Sequence, residues 1–415
     1  MRKALLVGLM SLVLVGGWST IPASGSAPQG TVPTWTEDVA PLMAINCMGC
    51  HRPGEVSPMS LLTYEDVVPW ARSIRMVVRE RIMPPWHADP QYGHFANERR
   101  LTEAEIGTLV DWVEAGTPRG SGTFAPPTFP TGWALDSELG PPDYVFELEE
   151  DFVVPAAGPD IIHHVMTSTT HEEDIWIRAI EARGNSRVVH HINVDAYWPD
   201  GTWDGLALAV PGRQPDLFPD GSAHRLPVGS EFRVEMHYHP NGEEQVDRTK
   251  VGIWLARAPI EYEIRGSLVT DQSFEIPPYE PNYESIAETE FDEEVELLLM
   301  TPHMHYRGKD MRFQAIHADG REETLLFVPQ YNMYWQIAYV LADPTRLGKG
   351  SKLRVTSHFD NSENNPWNPN PSLKVIWGMD SRDEMMEGWI HYRRKLAEPV
   401  VPAYDGDITT DSGAG

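Results

Sequence analysis

The chain has 415 residues, with 33 Lys and Arg against 61 Asp and Glu, so its formal net charge is −28 at neutral pH. So large an acidic excess repels phosphate backbones and anionic lipid heads, which argues against nucleic acid or a membrane surface as partner. At about 100–200 residues per domain the length suits a multidomain protein, and 36 Pro with 33 Gly favour short strands and turns over long helices.

Residues 1–27 carry two positive charges at Arg2 and Lys3, an apolar run from Ala4 to Gly17, and small residues from Ala23 to Ala27. This is the pattern of a secretory signal, and the run is too short to span a bilayer; an uncleaved anchor is the alternative. The expected product is periplasmic or secreted, with no membrane span once the signal is cleaved. Such a compartment permits disulfides, yet the chain has only Cys47 and Cys50, in Cys47-Met48-Gly49-Cys50-His51. CxxCH is the attachment sequence of c-type haem: two thiols add to the vinyl groups and His51 becomes the proximal iron ligand. A redox dithiol or a disulfide is the bland alternative.

Helical periodicity surrounds that motif. Thr36 is expected to cap a helix carrying Val39, Leu42, Met43 and Ile45. Thr63 to Asp66 has the form of a capping box ahead of Val67, Ala71, Ile74 and Val78. Thr102 to Glu105 opens a third helix through Ile106, Leu109, Val110 and Val113, stopping at Gly116. Residues 32–117 therefore resemble class I cytochromes c, which implies a small all-α haem domain with a Met on a later loop as distal ligand. Met83, before Pro84 and Pro85, is the candidate; His87 and Met59 are its rivals, and core packing is the plainer reading.

Residues 118–142 are rich in Pro and Gly and read as a linker or a strapped-down loop. Beyond them the apolar residues alternate, as in Tyr144 to Glu149, Ile175 to Ala182, Phe232 to His237, Val251 to Ala256, Glu296 to Met300 and Lys352 to His358. The expectation is two all-β, jelly-roll-like sandwich domains in tandem, 143–260 and 261–398, divided near the prolines from Pro259 to Pro278, then a disordered tail 399–415.

Of 16 His, 13 lie in the β region. The pairs His237/His239 and His303/His305 have the spacing at which strand residues face one side. His190 and His191 are adjacent, so both can reach one ion only at a bulge or strong twist. His163 and His164 pose the same problem. For any single pair a structural role competes with metal binding.

In order, His190-His191, His237-Tyr238-His239, His303-Met304-His305-Tyr306-Arg307-Gly308-Lys309 and Asp383-Glu384-Met385 form a series. It resembles the copper type II, ascorbate-dependent monooxygenases, the family of dopamine β-monooxygenase and peptidylglycine α-hydroxylating monooxygenase. The resemblance covers about residues 143–395. It implies one copper on His190, His191 and His237, and a separate catalytic copper on His303, His305 and Met385. The thioether favours the reduced ion that meets O2, while the all-His site passes an electron. Fusion to a haem c domain suggests a periplasmic donor whose electrons enter through haem c and then the all-His copper, with ascorbate or another one-electron donor as alternative reductant.

Departures from the family are also visible. There is no Cys outside the haem motif, and Thr301 stands where the peptide-amidating member has an arginine that grips substrate. The residues after Met385 differ from that member too, so peptide amidation is disfavoured. The expected function is an exported haem- and copper-dependent monooxygenase that hydroxylates a C–H bond of an unidentified small molecule or peptide. The alternative is a non-catalytic haem and copper electron-transfer or copper-handling protein.

Overall fold

The computed structural model describes residues 31–55, 57–130, 132–148, 150–184, 186–210, 215–402 and 409–411. The leader expected over residues 1–27 lies outside them. Among the described residues no helix is long and apolar enough to cross a membrane. The chain is mostly β, with short helices gathered near its N-terminal end.

Thr63 and Thr102 form the capping boxes that their sequences promise, with Asp66 and Glu105 returning the hydrogen bond. They open Tyr64–Val67, carried on through Ala71–Arg79, and Glu103–Glu114. The first helix departs from expectation. It starts after Thr34 rather than Thr36, because the Asp38 carboxylate accepts from the Thr34 N–H at 2.7 Å and so caps two residues earlier. Trp35, Met43, Met48, Val67, Ile74, Leu109 and Trp112 share one core. The proline-rich stretch straps that core: Pro118 O accepts from Trp35 N and from Trp112 Nε1. Its far end is tied as well, where Trp133 meets Trp254 edge-on at 6.0 Å.

The chain leaves the helical lobe after Met83. Trp86 and Phe95 pack on Tyr339 at 4.9 and 5.4 Å within the core of the second β lobe, and Asn97 Nδ2 donates to Ala338 O. Residues 86–97, expected inside the 32–117 domain, thus belong to another lobe. Two rings nine positions apart follow neither the helical nor the strand period, so periodicity carries no trace of this. Removing so large a buried ring leaves a cavity in the second lobe. Trp86→Ala is expected to lower stability by about 3–5 kcal/mol, read as a lower urea midpoint.

All six segments expected as strands are strands, at Tyr144–Glu147, Ile175–Arg183, Glu231–Tyr238, Lys250–Leu255, Val295–His303 and Lys352–Phe359. Three large sheets, with two two-stranded ones beside them, carry the β region among the described residues. A nine-stranded sheet runs through both halves; a five-stranded sheet faces its first part and a four-stranded sheet its second. Each pairing encloses an apolar core. Ile177, Ile180 and Ile253 meet Ile192, Val194, Phe232 and Met236 in the first lobe, and Leu297, Met300 and Ile390 meet Phe313, Leu326 and Val355 in the second.

The lobes do not follow one another as separate units. Ile260–Thr270, bracketed by the prolines that suggested a boundary, is the seam strand: it pairs in parallel with Ser222–Leu226 and antiparallel with Glu387–Val400. One hydrogen-bonded sheet therefore crosses the expected division at 260/261. The five-stranded sheet presses on this seam at Gly205 and Gly266, where a Cβ on Gly266 would strike the Gly205 carbonyl. The tail also differs from expectation: Thr409–Asp411 pairs with the edge of Ile161–Thr170, whose unsatisfied backbone groups accept another strand.

Candidate metal centre

The five-stranded sheet has two buried faces. Along Val189–Tyr197, Ile192, Val194 and Ala196 enter the first core, so His191, Asn193 and Asp195 turn the other way. Along Glu231–Tyr238, Phe232, Val234 and Met236 go inward, and Arg233, Glu235 and His237 turn out. Cross-strand partners match: His191 faces His237, Asn193 Nδ2 donates to Glu235 Oε1 at 3.2 Å, and Arg233 forks onto Asp195. This polar face lies against the second lobe. There Thr301 and Leu299, together with Trp389 and His391, close a cavity of about 20 Å³ over Asn193 and Asp195. It has room for about one water.

His190 joins the group through a register break. The ladder slips between Val189 and His191, which is the irregularity that two adjacent converging imidazoles require. Ring centroids of His190 and His191 lie 5.2 Å from each other and 5.2 and 4.8 Å from that of His237; one ligand atom from each falls within 4.8 Å of the others.

His303 ends the strand Val295–His303, and His305 follows in the turn, their centroids 5.3 Å apart. His303 Nδ1 donates to Gln336 Oε1 at 3.1 Å and His305 Nδ1 to Asp383 O at 3.4 Å. Fully buried Glu384 accepts from the backbone N–H of His305 at 2.8 Å and of Arg307 at 2.6 Å. Arg307, itself buried, bonds Asn361 Oδ1 and Arg382 O. These bonds clip Asp383-Glu384-Met385 to the His303-to-Arg307 segment, and Met385 is buried beside the clip. Burial pushes the Glu384 carboxyl up to about 8, against the pull of those N–H groups and Arg307.

The two groups were expected as separate centres. They adjoin instead: the rings of His191 and His303 lie 6.2 Å apart. Both sit where the polar face of one lobe meets the other, so no layer of protein separates them.

Asp160, which no motif flagged, organises the edge. It accepts from His237 Nε2 at 3.2 Å, from His239 Nδ1 at 2.7 Å and from Ser381 Oγ at 2.8 Å, so it bonds across the lobes. Burial alone would raise its carboxyl, but the His237 and Ser381 hydrogen bonds hold it well below the usual range. His239 thus stands behind His237 through a shared carboxylate. Outer partners of this kind fix a ring's orientation and are worth about 10–100-fold in metal affinity. Asp160→Asn is expected to weaken binding of a metal ion at His190, His191 and His237 by that factor, measured by competition with a chromophoric chelator.

Burial drives His190 and His305 to about 3, His303 to about 4, and His191 well below its ordinary value. These imidazoles are neutral when folded, whereas unfolded ones take up protons below about 6.5. The imidazoles' contribution to metal-free stability is therefore full above that pH and falls as pH drops toward 4, offset in part by Glu384, whose raised carboxyl favours the folded state at lower pH. The urea midpoint of the metal-free protein is expected to decline steadily from pH 7 to 4.5, and His303→Gln to flatten the slope.

The remaining sequence candidates fall elsewhere. His163 stacks on Phe152 at 4.3 Å, and His358 bonds Asp310 on the outer side of the four-stranded sheet, so neither joins the cluster. In the helical lobe the His51 N–H donates to Cys47 O in a tight turn, and Ser57 Oγ lies 2.7 Å from His51 Nδ1. The same hydroxyl lies 3.4 Å from Met59 Sδ. Met83 is half-buried, its N–H on Val77 O, at the point where the chain leaves this lobe.

No family model matches the chain, and no curated protein does. Similarities to solved structures are distant. The VP2 subviral particle of infectious bursal disease virus is 9% identical, covering 62% of this chain and 73% of that one, with a TM-score of 0.18. The CBM22 tandem domain of Paenibacillus barcinonensis Xyn10C is 7% identical over 58% and 79%, with a TM-score of 0.14. Oxalate decarboxylase of Bacillus subtilis is 8% identical over 67% and 82%, with a TM-score of 0.13. Likenesses this slight carry no argument about fold or activity.

Proposed function

We propose that this protein is an exported copper-dependent monooxygenase with a haem c lobe as its electron supply, hydroxylating a C–H bond of a small substrate. The observation that carries the reading is the five-imidazole cluster, with buried Met385 following the Glu384 that is bonded to the His305 and Arg307 backbone.

The donors suit copper. His303 and His305 have Nδ1 tied outward, and His237 has Nε2 tied to Asp160, which leaves the other nitrogen of each as ligand. Buried His191 Nδ1 has no hydrogen-bond partner among the described residues, a cost that a bound ion removes. His190, His191 and His237 would hold one ion, and His303, His305 and Met385 the other. Copper, when bound, supplies one-electron redox chemistry and a position for O2. The chain's residues do the rest: Glu384 and Gln336 fix the donors, and the packed lobes exclude bulk water. The cavity beside Thr301 is too small for a peptide carboxylate. Substrate would approach from the other side, where Tyr334 lies 6.4 Å from His190 and 5.7 Å from exposed Trp367.

Haem fits the helical lobe. Burial pushes the Cys47 thiol up to about 12 and raises Cys50, which disfavours a reactive dithiol. With Ser57 on Nδ1, His51 keeps Nε2 for iron. Met59 shares that serine and so sits behind the ring, and His87 hydrogen-bonds the Gln330 backbone, which supports Met83 as the distal ligand. Haem c, when bound, supplies electrons singly. The rings of Trp86, Phe95 and Tyr339 link the chain leaving this lobe to Val295–His303, with Tyr339 opposite Met300. Electrons would thus arrive on the His303 side rather than through the all-His half.

The test is O2 uptake by reduced, copper-reconstituted protein. The reading predicts copper-dependent uptake that Met385→Ile lowers by about 100-fold or more. Equal, negligible uptake in both would favour an electron carrier.

A further inference from the structure

We infer that the two copper half-sites form one binuclear centre in the resting protein, with the ions magnetically coupled, rather than two isolated sites across a cleft. The inference rests on the copper reading above and deepens it. Its basis is the contact of His191 with His303 at 6.2 Å, which joins five rings into one unbroken group.

Three features keep the halves together. The seam strand Ile260–Thr270 hydrogen-bonds to strands of both lobes, so a hinge there would break a ladder. Gly205 and Gly266 meet backbone to backbone, and Gly266 N donates to Asp204 Oδ1 at 2.6 Å, which locks the five-stranded sheet onto that seam. At the cluster itself Asp160 of the first lobe accepts from Ser381 of the second, four residues before Met385. The hydrogen bonds that orient His237, His303 and His305 all reach away from one another, to Asp160, Gln336 and Asp383. The other ring nitrogen of each is left without those partners, in two groups whose nearest rings are 6.2 Å apart. With copper held by both groups, an electron supplied to one half would have only the His191–His303 contact to cross, with no domain movement.

The experiment is a titration of the metal-free full-length protein with Cu(II) alone, followed by electron paramagnetic resonance with copper content measured in parallel. The first equivalent is expected to give an ordinary isolated-copper signal. The second should remove more than half of the integrated intensity per copper and bring in a half-field line. His303→Ala is expected to bind one copper and to keep the isolated signal. Two bound ions with additive, unperturbed signals would overturn the inference and leave the oxygenase reading standing, as would a single ion shared by all five rings. Failure to bind copper at all would overturn both. The wild-type titration decides the matter even if the variant does not fold.

Discussion

Replacing His191 with alanine is expected to abolish copper binding in the first half-site and to cut O2-dependent activity by about 1,000-fold or more, beyond the 10–100-fold cost of an outer partner. His191 is the ring in the middle: it touches His190, His237 and His303 at 5.2, 4.8 and 6.2 Å. Two imidazoles remain in its half, too few to hold copper through both oxidation states. Stability separates a ligand from a core residue. A buried imidazole with an unpartnered nitrogen contributes little to the metal-free fold, so the metal-free variant should melt near the wild-type temperature. Copper stabilises by preferring the folded state, so the wild type should gain several degrees on loading and the variant should gain much less. A large drop in metal-free stability, with no change in copper-induced stabilisation, would mark His191 as packing.

Arg307→Ala should have the opposite signature. Its guanidinium is buried, bonded to Asn361 and Arg382 O, and sits with the Glu384 that clips the methionine segment. Removing the guanidinium leaves the buried Asn361 Oδ1 and Arg382 O without that donor, at about 1–3 kcal/mol for each group left unsatisfied. Urea unfolding should show that loss even without metal, and the second copper should be held more weakly because the Arg307 bond to Arg382 O, just before Asp383-Glu384-Met385, is lost. The double variant Arg307→Met/Glu384→Gln should lose less than the two single variants added together, since it removes both members of the pair. Additive losses would mean that Arg307 and Glu384 act independently.

Much of the fold was written in periodicity. The alternation of Phe232, Val234 and Met236 defined a strand and its core face, and the two capping boxes marked helix starts to the residue. The adjacency of His190 and His191 called for a bulge or strong twist if both were to reach one ion, and the ladder slips there. What escaped were features set by three-dimensional closure. The prolines around 259–278 look like a boundary but bracket the seam strand, because proline marks where a strand ends without telling which strands it joins. Asp160 lies in a turn with no motif, and only the fold brings it to His237. Glu384 and Arg307 sit within recognised motifs, yet nothing in their spacing tells that they bond each other's segment.

One reading of the sequence does change in meaning. Charged residues alternating with apolar ones ordinarily mark a solvated face. Here His191, Asp195, Glu235 and His237 are all at least nine-tenths buried. Their face is covered by the second lobe, and this explains how a polar strand face becomes a buried candidate metal site rather than a surface.

The central claim is that five imidazoles and a methionine hold copper while the helical lobe holds haem iron. Elemental analysis of the purified holoprotein, scaled to protein concentration, tests it most directly. The account predicts two copper and one iron per chain, falling to at most one copper in His191→Ala with iron unchanged. Wild-type protein that takes up no copper when supplied with it, or whose copper is untouched by that substitution, would contradict the account.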